Sequence, residues 1–378
     1  LAFLQILGGE KMFKSKGAPI VRDSGIELLR ILLMLQVIFL HVCSYGNYYE
    51  MATKQLSSPH ALLYWVVFLM SRCPVYVYIV IQGYFSVASK GNQTLQGIVP
   101  KVKKTYFPML FYSLAIPLVM WLFSLSEIST ADAIRAFFPV LSRQWYFMTL
   151  YLIVLVLSPF INRCLNNLTK KECTVLVLIL FFIFSVWNML AHIEPISDVI
   201  SVEKIVSTQE GKGLYGFVFM YILGAFIRLH VKPYNHCKLR FLAVFVLLGL
   251  FNVALVYLLP EYRSVVSFND NPISVLQGVC LLLFFRDLHF KSRVVNAIAA
   301  LNLGVYMIHE HKLVRNFIWG KIFNFIGEPA FYASALYPFA ILLICIAIFT
   351  CCALIEQLRV WLFALCGKIR GKILRNPA

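Results

Sequence analysis

The chain has 378 residues, of which 60% are hydrophobic and only 13% charged, and its mean hydropathy is +0.79. These values exclude an ordinary soluble domain and predict an all-α, polytopic integral membrane protein whose backbone polar groups are satisfied inside helices. The formal net charge of +17 would suit nucleic acid only on a soluble basic face. Here Lys and Arg sit mostly in short segments between apolar runs, so no nucleic-acid partner is expected and positive-inside topology accounts for the excess.

Residues 1–24 are expected to be a cytosolic N-terminal segment, and residues 1–22 do not make a secretory signal, because Lys11, Lys14 and Lys16 follow the short apolar start rather than precede it. Met12 is a candidate start. The stretch Gly25 to Ser44 then organises the chain. It is apolar enough to enter a bilayer as a helix, yet it carries Glu27, Arg30 and His41, which hydrophobicity alone would not keep. Arg30 and His41 lie eleven positions apart, about three turns at roughly 3.6 residues per turn, and so share one face about 16 Å apart along the axis. Glu27 precedes Arg30 by one turn on nearly the same face.

A second apolar run, about Ala61 to Phe85, is interrupted by Arg72 and by Pro74, whose missing amide predicts a kink or break. Lys90, Lys101, Lys103 and Lys104 read as a basic loop before a third span at Tyr106 to Phe123. The segment Ser126 to Arg143 has mixed charge and suits the interface. A fourth span runs from Trp145-Tyr146-Phe147 to a stop at Pro159, and a fifth from Cys173 to Leu190.

The most acidic connection, Ile193 to Lys212, leads to spans at Leu214 to Ile227, Phe241 to Leu259 and Pro272 to Phe285. The ninth, Val294 to Trp319, holds His309-Glu310-His311, and the last is Phe331 to Leu365. Every second connection is rich in Lys and Arg, an alternation that fixes about ten spans with both termini cytosolic. The membrane body is therefore 25–365, followed by a basic cytosolic tail at 366–378. Arg30 falls near the cytosolic surface and His41 near the outer one.

No metal site is expected. The ten cysteines form no CxxC pair or ligand spacing, and His309, Glu310 and His311 would not share a helix face. Arg72 inside its span needs a partner, either substrate or a neighbouring helix. Gln82 and Gly83 let backbone approach a ligand or simply pack helices. The 15% aromatic content, Trp145 included, suits interfacial belts and also stacking on sugar rings.

Arg30, ten residues, then His41 resembles the R-x10-H pattern of the membrane acyltransferase 3 family. Four further stretches resemble the family's landmarks in order: Tyr78 to Phe85, with Gln82 in place of the Ser before Gly83; Lys101-Val102-Lys103-Lys104 followed by Pro108; Trp145-Tyr146-Phe147; and Gly304-Val305-Tyr306-Met307-Ile308-His309. The two Lys at 101 and 104 keep the charge of the family's Arg pair without its bidentate fork.

The resemblance implies an O-acyltransferase, usually an O-acetyltransferase, that moves an acyl group from cytosolic acyl-CoA to a hydroxyl of an envelope glycan or lipid-linked saccharide. Acetyl-CoA would be a co-substrate rather than a permanently bound cofactor, and the bacterial inner membrane the location. On that reading His41 is the general base, since a neutral imidazole is matched to a hydroxyl proton near pH 7. Arg30, Lys101 and Lys104 would meet the CoA phosphates. Glu27 would orient Arg30, and His309 would orient the acceptor. The competing readings are an interfacial histidine for His41, a snorkelling cation for Arg30 and plain topology signals for the lysines. A transporter or flippase for a lipid-linked glycan is the alternative function, because buried charges in about ten spans also describe carriers.

Overall fold

The computed structural model describes residues 23–199, 212–233 and 238–373. Met12, Arg22, the acidic residues Glu203 and Glu210, Cys237 and Arg375 lie outside them. Among the described residues every regular element is helical, and among them seven helices are long and apolar enough to cross a membrane.

The first, α1 (Ser24–Tyr45), starts where the Asp23 carboxylate accepts the Gly25 amide at 3.1 Å and ends at Gly46, whose N–H returns to the Val42 carbonyl. The second span is α2 (Pro59–Met70) plus α3 (Pro74–Ser86), broken at Ser71–Cys73 as Pro74 predicts. Gln36 of α1 donates to the freed Met70 carbonyl at 3.2 Å, so the break inside the membrane is partly satisfied by a neighbouring helix.

Several sequence boundaries are corrected. Helix α4 (Leu95–Leu122) begins eleven residues before the expected Tyr106, because the Thr94 hydroxyl caps it by accepting the Gly97 amide at 3.1 Å. Lys101, Lys103 and Lys104 therefore stand on a helix, not in a loop. A short amphipathic helix, α5 (Thr130–Phe137), follows, and then α6 (Tyr146–Asn167), which does not stop at Pro159. Proline leaves the carbonyl four residues earlier without its amide. Here that carbonyl, Leu155 O, accepts the Ser158 hydroxyl at 2.7 Å, and the helix continues.

Helix α7 (Lys170–Phe181) continues through a π-helical turn at Phe182–Trp187. Helices α8 (Leu214–His230), α9 (Lys238–Leu258) and α10 (Pro272–Arg286) come next. With 17 and 15 residues, α8 and α10 rise only about 26 and 22 Å, short of a hydrocarbon core of about 30 Å. The Arg286 guanidinium ties their ends together, donating to Asp287 Oδ1 (2.7 Å) and to the Val231 and Lys232 carbonyls (3.2 and 3.3 Å). The expected ninth span is broken into α11 (Arg293–Ala299), α12 (Asn302–His309) and α13 (Lys312–Phe317). The last helix, α14 (Tyr337–Ile373), is 37 residues long and runs past the expected boundary at 365.

Helices α3 and α8 approach backbone to backbone. A Cβ on Gly83 would land on the Tyr221 carbonyl, and one on Gly224 on the Val80 carbonyl. Backbone cannot yield as a flexible side chain can, so Gly83→Ala is expected to destabilise by about 1–3 kcal/mol, seen as a lower melting temperature in detergent. Gly320→Ala, which meets nothing within 4 Å, is the control that should melt like the parent.

A second buried device sits between α4, α12 and α14. Glu356 accepts the Tyr112 hydroxyl at 2.6 Å and both Nε and Nη2 of Arg359 at 2.6 Å, so the charge in the interior is paired and hydrogen-bonded. The Glu356 side chain lies directly on Gly304, where any Cβ would overlap it. That contact gives the glycine of the Gly304 to His309 stretch its physical reason.

Candidate active site

Arg30 and His41 stand on the single unbroken helix α1. At the Arg30 level the guanidinium holds the Glu27 carboxylate, Nη1 to Oε1 at 3.1 Å and to Oε2 at 3.2 Å, and lies 5.9 Å from the Phe85 ring centre. The Arg30 carbonyl accepts two further donors, the Tyr78 hydroxyl at 2.6 Å and Asn302 Nδ2 at 2.7 Å, which bring α3 and α12 against α1.

About three turns further along, His41 meets the end of α12. His309 Nδ1 lies 2.6 Å from the Val305 carbonyl, and a carbonyl only accepts, so Nδ1 carries the proton and Nε2 of the neutral ring is bare. His41 Nδ1 is 3.0 Å from that Nε2 and therefore donates to it. With both rings neutral, the two hydrogen bonds leave the lone pair of His41 on Nε2.

Glu310 Oε2 lies 3.2 Å from the same His41 Nδ1, yet it is off the line of the N–H and makes no hydrogen bond there. Its contribution is electrostatic. The other carboxylate oxygen, Oε1, accepts Arg315 Nη1 at 2.9 Å and the Tyr45 hydroxyl at 3.5 Å. The same Arg315 Nη1 reaches the Tyr45 hydroxyl at 3.1 Å, and the guanidinium lies 4.7 Å from the Tyr45 ring centre.

The expectation that residues 309–311 face different ways assumed a continuous helix. Instead α12 ends at His309, and His311 caps α13 by accepting the Leu313 amide at 3.3 Å. The chain turns at Glu310, so adjacent residues 309 and 310 both reach His41. His311 points elsewhere, its ring centre 5.6 Å from that of Trp145.

The remaining expected residues are distributed as follows. Trp145 is fully buried and donates its indole N–H to the Met307 carbonyl at 3.1 Å, bracing α12 from α6. Gln82 Nε2 donates to the Tyr151 carbonyl at 3.3 Å. Gly83 is spent on the contact with α8 described above. Arg72 lies 5.0 Å from the Phe68 ring centre at the break between α2 and α3. Lys101 turns to Asn92 and, at 3.5 Å, to Ser89, while Lys104 is exposed. The structure thus gathers Arg30 with Glu27, and His41 with His309, but directs Lys101 away toward its own loop.

Arg315 and Tyr45 were not singled out in the sequence, and Glu310 was weighed there only as a metal ligand. The available signal was charge: Glu310 and Arg315 lie inside a run read as a membrane span, where ionisable residues call for a partner.

A family model described as an acyltransferase domain matches residues 23–357. No match was found among curated proteins or among solved structures. The matched span takes in all of α1 through most of α14, including both ends of the Arg30 to His41 stripe and the His309 stretch, and the chain therefore belongs to the acyltransferase 3 family of integral membrane proteins.

Proposed function

We propose that the protein is a membrane O-acetyltransferase that uses cytosolic acetyl-CoA as co-substrate and a hydroxyl of an envelope glycan or lipid-linked saccharide as acceptor, in a bacterial inner membrane with both termini cytosolic. The observation that carries this reading is the hydrogen-bonded tautomer of His41, whose Nε2 lone pair stands on the same helix as Arg30. The acceptor hydroxyl oxygen attacks the thioester carbonyl carbon while its proton passes to His41 Nε2. The new C–O bond forms, the C–S bond breaks, and the thiolate leaves as CoA–SH with the proton from His41. The adjacent Glu310 carboxylate offsets the positive charge that His41 carries between these two proton transfers.

Arg30, 31% exposed at its side chain, has room to meet a phosphate group and keeps Glu27 as its anchor. Arg30→Gln is expected to raise the KM for acetyl-CoA about tenfold, near 1.4 kcal/mol, with kcat changed less than twofold. An unchanged KM would assign Arg30 to snorkelling.

The reading as a whole is tested by incubating the purified protein in liposomes with labelled acetyl-CoA, with and without an envelope glycan fraction. CoA release that depends on the acceptor supports transfer. Movement of a lipid-linked glycan across the bilayer without CoA release would instead make the protein a carrier.

A further inference from the structure

A polar atom buried without a partner costs about 1–3 kcal/mol, so each one in a packed interior calls for a reason. Three such atoms sit on residues that reach Phe147 directly or through one neighbour. Gln82 gives its Nε2–H to the Tyr151 carbonyl, which fixes the other end of the amide as oxygen, and that Oε1 has no partner. Asn302 gives its Nδ2–H groups to the Arg30 carbonyl and, at 3.3 Å, the Tyr78 hydroxyl, leaving Oδ1 unmet. The Tyr306 hydroxyl is likewise unmet. The three residues are 8%, 5% and 6% exposed.

Phe147 links them. Its ring centre is 5.5 Å from that of Tyr306, 6.0 Å from Tyr78, which holds Asn302, and 6.1 Å from Tyr151, which holds Gln82. Tyr306 in turn is 6.0 Å from His309. Two orphan carbonyl oxygens thus stand at the Arg30 level and an orphan hydroxyl at the His41 level. Apolar residues would fill these positions at less cost if packing were their only task.

We propose that these three groups are the subsite for the pantetheine arm of the acyl donor, an inference that rests on the acyl-CoA reading above. Gln82 Oε1 and Asn302 Oδ1 accept the N–H of the amide nearer the nucleotide, and the Tyr306 hydroxyl serves the amide nearer the thioester. The reach agrees. A chain of about a dozen backbone atoms, equivalent to about four residues at about 3.5 Å each, extends about 14 Å, and eleven helical residues from Arg30 to His41 rise about 16 Å.

Two variants remove an orphan atom without stranding a partner. Tyr306→Phe deletes only the hydroxyl, and Gln82→Met keeps the side-chain length while releasing a carbonyl inside helix α6. Binding of labelled acetyl-CoA to the purified protein is competed with acetyl-pantetheine, which has both amides, or with S-acetyl-N-acetylcysteamine, which lacks the one nearer the nucleotide. Gln82→Met is expected to weaken acetyl-pantetheine about tenfold and the short competitor less than twofold, whereas Tyr306→Phe weakens both about fivefold; neither lowers the melting temperature. Parent-like competition in both variants, or an equal loss for the two competitors in Gln82→Met, would overturn the subsite while leaving acetyl-CoA as donor. If the parent protein does not bind acetyl-CoA, the donor reading falls and the subsite falls with it.

Discussion

His41→Gln is expected to reduce acyl transfer by about 10³-fold, within the 10²–10⁴ range that a general base contributes. Glutamine is the informative replacement. Its amide N–H groups can still donate to His309 Nε2, which His41 Nδ1 now does at 3.0 Å, so the packing of α1 on α12 survives. What it lacks is a basic nitrogen where His41 presents Nε2. The acceptor hydroxyl must then lose its proton to water, and the barrier rises by about 4 kcal/mol, at 1.36 kcal/mol per tenfold. Acetyl-CoA affinity should stay within a factor of two, because the Arg30 end of α1 is about three turns away. Initial rates and donor binding on the same preparation check both halves. Transfer within threefold of the parent would place the base elsewhere. An acetyl group trapped on His41 in the absence of acceptor would convert the base into a nucleophile.

His309 owes its importance to the same geometry. It is not free to orient an acceptor in the manner the sequence suggests, because both ring nitrogens are engaged, Nδ1 by Val305 and Nε2 by His41. On the proposed mechanism its place is behind His41, fixing the tautomer as a second partner does in metal and catalytic sites alike.

The first helix was legible because charges in an apolar run are conspicuous, and one run of 3.6-residue periodicity is enough to put Arg30 and His41 on a common side. The break before Pro74 was legible for a similar reason, since a missing amide has one local consequence. The continuation of α6 through Pro159 was not, because the hydroxyl that meets the freed carbonyl, Ser158, shows its value only once the helix exists. Helix α4 hid its early start behind three lysines that look like a loop, when a threonine cap at Thr94 sufficed. The least legible feature was the turn at Glu310. No Gly or Pro marks it, and a continuous helix would have sent residues 309 and 310 to different sides. Glu356 and Arg359, three apart in the last apolar run, could have been read as a buried pair. Their contact with Gly304 and Tyr112 required the packed structure.

That turn makes Glu310→Gln the second decisive substitution. On the proposed mechanism, His41 becomes a positive imidazolium in a half-buried site when it takes the hydroxyl proton, and His309, already neutral and donating elsewhere, offers only a dipole. The carboxylate 3.2 Å from His41 Nδ1 supplies the opposite charge. Arg315 and Tyr45 hold its other oxygen, so the carboxylate stays aimed without reorganising as the reaction proceeds. Gln has nearly the same shape and can still accept from Arg315 through Oε1, yet it carries no charge. The expected result is a fall in kcat of about 10²-fold, about 2.7 kcal/mol, with the KM for acetyl-CoA unchanged. Glu310→Asp, charged but one methylene shorter, should recover part of the loss. Arg315→Met should behave differently, because it leaves the Glu310 carboxylate mostly buried without its cation and so lowers the melting temperature as well as kcat. If Glu310→Gln and Glu310→Asp instead lose activity equally and melt early, the residue serves the fold of the α12 to α13 turn, and His41 works without a carboxylate behind it.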